Sequence, residues 1–483
     1  MTEQIAQPKA PTESTTSGAP IGRVLTALIV GGITAVLDTT IVAIGLRTME
    51  RELHATVATI QWVSTGYLLA LAVAIPFVSW AQARFGGKRL WLFALSLFLL
   101  GSVLCACAWN AEALIAFRVV QGLGGGILFP LMTTLAMQRV EPAAMARTMS
   151  TVGLPIALGP ILGPVLGGLV LNWLDWRWLF LINVPIAIAG LILAVLYLPA
   201  DRPAPDARRG RLDGIGVVLI APALVGLLYG LSKADSAGGF GNAQVWVPVV
   251  IGVVFLAAFV LWCARRGAAA LIDIRLFRVR SVRASSTVLI FLGGTLFAST
   301  FLLPLYFQTL RGDTVLVAGL LMIPQGVGSL LARFFTGRLV DRFGAKTVAV
   351  VGFMMIVATT IPFALADAST NIWYLGAILF VRGIGLGAVL IPVMTTAYLD
   401  IPRSDMPHAS AITRIVQQLG GAFGTSLVAV ALQGQLSAGH PVTAFSIAFW
   451  LTIVITAIAA AAAFVLPGRA HIVPVPVGPS GAN

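Results

Sequence analysis

Charge is scarce in this chain: only 10% of its 483 residues are Asp, Glu, Lys or Arg. No water-exposed globular surface is built from so little, because soluble domains carry about a quarter of their residues as charges. Cysteine is scarcer still, at three. Cys105 and Cys107 share one apolar run and Cys263 sits in another, without the polar companions of a metal site, so all three read as small packing residues. The four histidines, His54, His408, His440 and His471, are scattered near loops and tails. A membrane-embedded enzyme needs clustered acids, His or Cys at catalytic spacing, which this distribution does not offer. Long polar segments are missing too: breaks between apolar runs are mostly short and turn-like, leaving no room for a soluble signalling domain.

What the chain has instead is apolar residues, 58% of the total. A helix crosses the hydrocarbon in about 20 residues, and stretches such as Val24 to Leu46 and Leu90 to Trp109 are long enough to do so. Reading the whole chain this way predicts an all-α integral membrane protein of about fourteen spans. The 31 Lys and Arg outnumber the 18 Asp and Glu, yet the cations are spread over alternate loops rather than gathered on the basic face that nucleic acid requires. With the N-terminus inside, 22 of the 31 fall on the cytoplasmic side, five (Arg47, Arg51, Arg177, Lys233, Arg311) fall outside, and Arg118, Arg333, Arg382 and Arg414 lie within or near the ends of spans. That asymmetry predicts both termini in the cytoplasm. Residues 1–22 are polar and lack the layout of a secretory signal, so the first span is expected to serve as an uncleaved anchor.

Two connectors are longer, Asp201 to Asp213 and Arg265 to Arg283. Either is an ordinary positive-inside loop or lies on the anionic inner leaflet, the second through Leu271, Ile274, Leu276 and Phe277. Internal similarity sets the larger organisation. Arg84-Phe85-Gly86-Gly87-Lys88 returns as Arg342-Phe343-Gly344-Ala345-Lys346, and Pro130-Leu131-Met132-Thr133-Thr134 as Pro392-Val393-Met394-Thr395-Thr396. Leu158-Gly159 with Gly163 returns more weakly as Leu419-Gly420 with Gly424. The offsets of 258, 262 and 261 residues agree in order and size. They predict a tail (1–22), a six-helix bundle (23–200), a linker with two extra spans near 214–232 and 245–264 (201–284), a second six-helix bundle (285–467) and a tail (468–483).

An acid at the centre of a span is costly to hold ionised, and so is a functional candidate by default. Asp38 alone qualifies clearly; Glu50, Glu141, Asp175, Asp341 and Asp400 fall where water or headgroups can solvate them. Burial favours the neutral form of an acid and an approaching cation the charged form, which makes a buried carboxyl a natural proton switch. The alternative is an acid that ties helices together. The candidate partner is Arg118, inside Arg118-Val-Val-Gln-Gly-Leu-Gly-Gly-Gly126; the alternative for Arg118 is a fixed cation satisfied by helix carbonyls. In the fifth span Gly159-Pro160, Gly163-Pro164 and Gly167-Gly168 recur every four residues, a stripe that lets backbones touch while each proline bends the helix. Tight packing without gating is the plainer reading of it. Gln61, Trp62, Tyr67, Gln121, Tyr306, Gln308 and Gln325 are polar or aromatic residues inside spans and supply candidate cavity contacts; any one alone also fits helix packing.

Taken together these motifs resemble the major facilitator superfamily, in particular its fourteen-span drug:proton antiporter branch, over nearly the whole chain. Leu37-Asp38-Thr39-Thr40-Ile41-Val42 looks like the first-helix motif whose acid is linked to proton coupling, and Arg118 with Gln121 and Gly122 like the fourth-helix motif. The Gly-Pro stripe from Gly153 to Gly168 is similar to the antiporter motif, and Trp176-Arg-Trp-Leu-Phe-Leu-Ile-Asn-Val-Pro185 to a segment typical of the branch. The superfamily's loop motif is kept in the second half by Gly337, Leu339, Asp341, Arg342, Gly344 and Lys346. In the first half Arg84, Gly86 and Lys88 remain, but Ser79, Ala81 and Ala83 replace the usual Gly, Leu and Asp. The lost acid leaves closure on that side to Arg84, Lys88 and helix-end dipoles. Ala43 and Arg47 also depart from the first-helix pattern.

The resemblance implies a proton-coupled efflux antiporter of the bacterial cytoplasmic membrane that exports amphipathic compounds, cationic ones included, by alternating access. It implies no cofactor beyond the proton gradient, protons and lipid as partners, and a functional monomer. The nearest alternative is a dedicated exporter of one metabolite or self-made antibiotic on the same fold; a non-transporting sensor and a membrane-embedded enzyme stand further off.

Overall fold

The computed structural model describes residues 21–199, 212–234 and 240–467. Most of both tails and nearly all of the 201–213 connector, with Arg208, Arg209 and Arg211, lie outside the described residues. Every regular element among the described residues is helical. In chain order these are α1 (Ile21–Glu52), α2 (Val57–Ala74), α3 (Phe77–Phe85), α4 (Gly87–Ala106), α5 (Ala111–Met137), α6 (Pro142–Val152), α7 (Leu154–Trp173), α8 (Trp178–Leu181) and α9 (Asn183–Tyr197). Then come α10 (Gly214–Ser232), α11 (Ala243–Arg266), α12 (Arg280–Leu305), α13 (Val315–Leu321), α14 (Ile323–Phe343), α15 (Ala345–Leu365), α16 (Ile372–Thr396), α17 (Met406–Ser437) and α18 (Pro441–Ala463).

Twelve helices are long and apolar enough to cross a bilayer alone, and α2 with α3, bent by 56°, makes a thirteenth. The bend falls at Pro76, which has no N–H to give and whose ring crowds the turn before it. The 20-residue helix α7 fills the remaining place in the up-and-down order. Starts are fixed by side chains that accept otherwise unpaired N–H groups: Thr56 for α2, Asn110 for α5, Asp213 for α10, Asn371 for α16.

Helices α1 to α9 pack among themselves, α1 against α7, α9 and α5, and α5 against α2 and α4; α12 to α18 do the same around α12–α17, α14–α16 and α15–α18. The sequence repeat is visible in the backbone. Gly86 and Gly344 each end a span with φ of 87° and 85°, the left-handed region that glycine enters without a Cβ clash. Between the bundles stands the hairpin α10–α11. Its helices touch backbone to backbone, so that a Cβ on Gly226 would lie 2.6 Å from the Pro248 carbonyl oxygen. Helix α10 leans on both α2 and α17. Helix α11 buries only Val245, Gly252, Phe259 and Cys263, which leaves the rest of its surface to lipid.

The 267–278 segment is not the leaflet-lying strip that was one of its two readings. Leu271, Ile272 and Leu276 are buried in the protein. The Leu271 carbonyl accepts from Ser79 Oγ at 3.1 Å and its N–H donates to Asp213 at 3.0 Å, while the Asp273 N–H reaches His408 Nδ1 at 3.4 Å. Satisfied backbone and buried apolar side chains leave it little to offer a membrane surface.

Candidate functional site

Asp38 lies halfway along α1 with no exposed surface, and Arg118 of α5 is 1% exposed. Arg118 Nη1 donates to Asp38 Oδ2 at 2.5 Å and to Gln121 Oε1 at 2.7 Å, and its Nε donates to the Val63 carbonyl at 3.0 Å. Asp38 Oδ1 accepts from Gln121 Nε2 and from Asn183 Nδ2, both at 2.9 Å. Gln121 Nε2 also donates to Ser102 Oγ at 2.8 Å. The Arg118 guanidinium stacks 3.9 Å from the Tyr67 ring centroid, and the Tyr67 hydroxyl donates to the Ala35 carbonyl at 3.4 Å. The carboxylate thus holds one cation and two neutral donors, with no water-facing side, so a cationic substrate cannot touch it in this conformation.

Glycines make this geometry possible. A Cβ on Gly101 would sit 2.6 Å from the Gln121 Cα, and one on Gly124 2.7 Å from the Phe98 nitrogen, so α4 and α5 meet at backbone distance. That approach brings Arg118 and Gln121 within reach of α1. The stripe on α7 works the same way from the other side. Gly159, Gly163 and Gly167 seat on Val36, Thr40 and Ile44 of α1, four-residue steps on both helices, and Thr40 Oγ1 donates to the Gly159 carbonyl at 3.2 Å. Gly168 beside it is half-buried. The side chains of Pro160 and Pro164 lie outside the described residues, as do those of Ala43 and Arg47.

The loop residues are dispersed rather than gathered into one latch. Lys88 Nζ donates to the Val195 and Leu198 carbonyls at 2.7 Å each, capping the end of α9 within its own bundle, and Arg84 is exposed. Gly337 is buried under the Arg147 backbone of α6, at 3.5 Å from where its Cβ would be. Asp341 and Arg342 are exposed, with Arg342 over the Phe343 ring, and Lys346 sits over Phe464. On this Arg-rich face the bundles are joined by other groups. Ser410 Oγ donates to the Pro130 carbonyl at 2.9 Å, Gln138 to the Arg403 carbonyl at 3.2 Å, and Ser150 to the Arg333 carbonyl at 2.6 Å. On the opposite face α7 meets α13. The bundles thus touch each other near both faces.

The seven cavity candidates divide. Tyr67 and Gln121 belong to the Asp38 network. Trp62 stacks on Tyr229 of the hairpin at 5.3 Å, and Gln61 is exposed. Tyr306 is buried in a cage of Phe307, Phe363, Phe445 and Phe449, its hydroxyl donating to the Asp367 carbonyl at 2.9 Å, and Gln308 is half-buried in the π-turn that follows α12. Gln325 Oε1 accepts from Arg382 Nη1 at 2.7 Å. Sequence reasoning passed over Asn183, although it lies inside the Trp176–Pro185 segment. It also counted Arg333, Arg382 and Arg414 without weighing them. Arg382 follows Arg118 by 264 residues, close to the repeat offset, yet its other partners are hydroxyls, Ser299 at 2.5 Å and Thr360 at 3.3 Å. The second bundle thus has a buried cation at the corresponding place without an acid.

Two helical bundles related by an internal repeat and packed against each other, the first enclosing a buried ion pair, have the build of a multi-pass membrane transporter. The chain belongs to the Major Facilitator Superfamily, whose family model matches residues 28–425. It is similar to the "Multidrug resistance protein B homolog" of Mycobacterium tuberculosis, 36% identical over 411 residues that cover 85% of this chain and 76% of that protein. It is also similar to the "Lincomycin resistance protein LmrB" of Bacillus subtilis, 28% identical over 414 residues covering 85% and 86%. Among solved structures, the proton:xylose symporter XylE bound to 6-bromo-6-deoxy-D-glucose matches with a TM-score of 0.67 at 15% identity, covering 93% of this chain and 96% of that one. At that identity the likeness is one of fold.

Proposed function

We propose that this protein exports amphipathic compounds, antibiotics among them, from the bacterial cytoplasm in exchange for protons, with Asp38 as the proton carrier and Arg118 as the cation that sets its charge. The carrying observation is the fully buried carboxylate held by Arg118, Gln121 and Asn183 on a helix seated against the α7 glycine stripe. An acid so placed changes charge only if its cation moves away or a proton arrives, so movement of α1 against α5 couples protonation to bundle rocking. The names of the relatives, a multidrug resistance protein homolog and a lincomycin resistance protein, support the drug-export side of this reading. The Arg-rich face lies in the cytoplasm with both termini, bundles 23–200 and 285–467 rock as units, and a monomer suffices.

The test uses purified protein in vesicles with an imposed proton gradient and a panel of cationic, neutral and anionic amphipaths. Uphill export, together with proton release when substrate binds, is expected for the wild type and absent for Asp38→Asn. Gradient-dependent uphill export by Asp38→Asn at wild-type rate sinks the assignment.

A further inference from the structure

The buried charges of the two bundles do not balance locally. Among the described residues the buried acids are Asp38 and Asp213. Asp38 is occupied as described, and Asp213 accepts from the Gly216 N–H, Trp262 Nε1 and the Leu271 N–H. Arg333, in the middle of α14, is 4% exposed, and its Nε and Nη1 have no hydrogen-bond partner. Its guanidinium crosses from the second bundle to the first and rests on Gly153 at the α6–α7 junction, where any Cβ would collide with Nη1.

There it borders a cavity of about 10 Å³, room for one water, whose wall comes from both bundles: Phe129, Thr133, Met149, Leu390 and Met394. The Thr133 hydroxyl is already bonded to the Phe129 carbonyl at 3.1 Å. A second cation, the half-buried Arg414 of α17, lies 4.3 Å above the Phe129 ring; its Nη1 donates to Gln417 Oε1 at 3.0 Å and its Nε is unpartnered. The site therefore joins an apolar wall to cations that no protein acid answers. A charge buried inside a span is costly and marks a ligand path by default. A planar guanidinium with free N–H groups is the side chain suited to gripping an oxyanion with two parallel hydrogen bonds.

We propose that Arg333 is the docking cation for the acidic group, a carboxylate or similar oxyanion, of an amphipathic substrate whose apolar body lies on Phe129, Met149, Leu390 and Met394. This names the substrate class of the exporter proposed above and rests on that reading for its setting. Docking takes place when the bundles part at α6–α14, where the Ser150 hydroxyl now holds the Arg333 carbonyl. Asp38 and the acidic substrate then never compete for one cation: Arg118 serves the proton, Arg333 the cargo.

The probe pair is dansyl-leucine and its uncharged amide, the same apolar body with and without a carboxylate, titrated against the purified full chain in zwitterionic nanodiscs by dansyl fluorescence. Wild type is expected to bind the acid about tenfold or more tighter than the amide, the worth of a charge-assisted hydrogen bond. Arg333→Gln removes that preference and leaves amide binding unchanged. Should Arg333→Gln not elute as a folded species, Gly153→Ala serves: the residue has φ −79°, open to any side chain, and the new methyl pushes the guanidinium off its seat. Loss of the preference in Gly153→Ala supports the site. Equal binding of acid and amide by wild type overturns the proposal, as does an undiminished preference in either variant. Flux measured alongside separates the two readings. Gradient-driven export without acid preference leaves the exporter standing and removes the site, whereas acid-selective binding without gradient-driven flux does the reverse.

Discussion

Replacing Asp38 by Asn keeps the volume of the side chain and removes its charge, so it isolates what the ion pair contributes. In the native arrangement the carboxylate accepts from Arg118 at 2.5 Å and from Gln121 and Asn183 at 2.9 Å, with all exposure gone. An asparagine retains one acceptor oxygen and turns an NH₂ toward at least one of these donors. Arg118 is then a buried cation without a counter-charge. Breaking a buried pair from one side costs about 3–5 kcal/mol. Arg118→Gln is expected to cost less, because an abandoned carboxyl takes up a proton whereas an abandoned guanidinium cannot lose one. The double variant Asp38→Asn/Arg118→Gln has no stranded charge and forfeits only hydrogen-bond quality, about 1–2 kcal/mol. The cycle therefore closes with a coupling of at least about 2 kcal/mol. Equilibrium unfolding in mixed micelles of increasing denaturing detergent, followed by tryptophan fluorescence, measures all four corners. Losses that add within about 0.5 kcal/mol would mean that the two charges do not depend on each other, and the coupling scheme built on them would fall with that result.

Further expectations follow from the packing. Gly101→Val drives a side chain into the Gln121 backbone, and should destabilise the fold by about 1–3 kcal/mol and slow export, read as a shorter thermal half-life and lower vesicle flux. Asp213→Ala strands three donors, the Gly216 and Leu271 N–H groups and Trp262 Nε1, and should cost about 1–3 kcal/mol. Faster trypsin cleavage at the exposed Arg275 would report it. Of the three thiols only Cys107 is exposed, so a membrane-impermeant maleimide added to intact cells should label the protein once and Cys107→Ser not at all. Labelling only after lysis would place the Arg-rich face outside.

The spans, the repeat and the Asp38–Arg118 pair were legible because each rests on composition or on a charge where few can stand. Asn183 was not, since an amide inside a span has no depth or direction of its own until α9 is packed against α1. The cavity candidates lie apart for the same reason: a polar residue in an apolar run declares its cost but not its face, and Gln61 is exposed while Trp62 meets the hairpin and Gln325 meets Arg382. Arg333 and Arg414 were passed over because a long arginine within a span can carry its charge along its stem toward the headgroups. Only the packed helices show theirs kept inside. Lys88 looked like a gate residue in a charged loop, and the nearest unpaired carbonyls at the end of α9 took it instead.

The hairpin α10–α11 makes the two seams between the bundles unlike. Along one, Trp62 of the first bundle stacks on Tyr229, and Ser426 of the second donates to the Leu231 carbonyl at 2.6 Å, so a single turn of α10 straps both bundles. Along the other, α7 and α14 meet directly, with no other helix of the described residues between them. A lipid-dissolved compound approaching sideways finds the first seam shuttered and the second bare, so uptake from within the bilayer has one side to use, and a crosslink from α7 to α14 should block it where a crosslink from α10 to α17 does not.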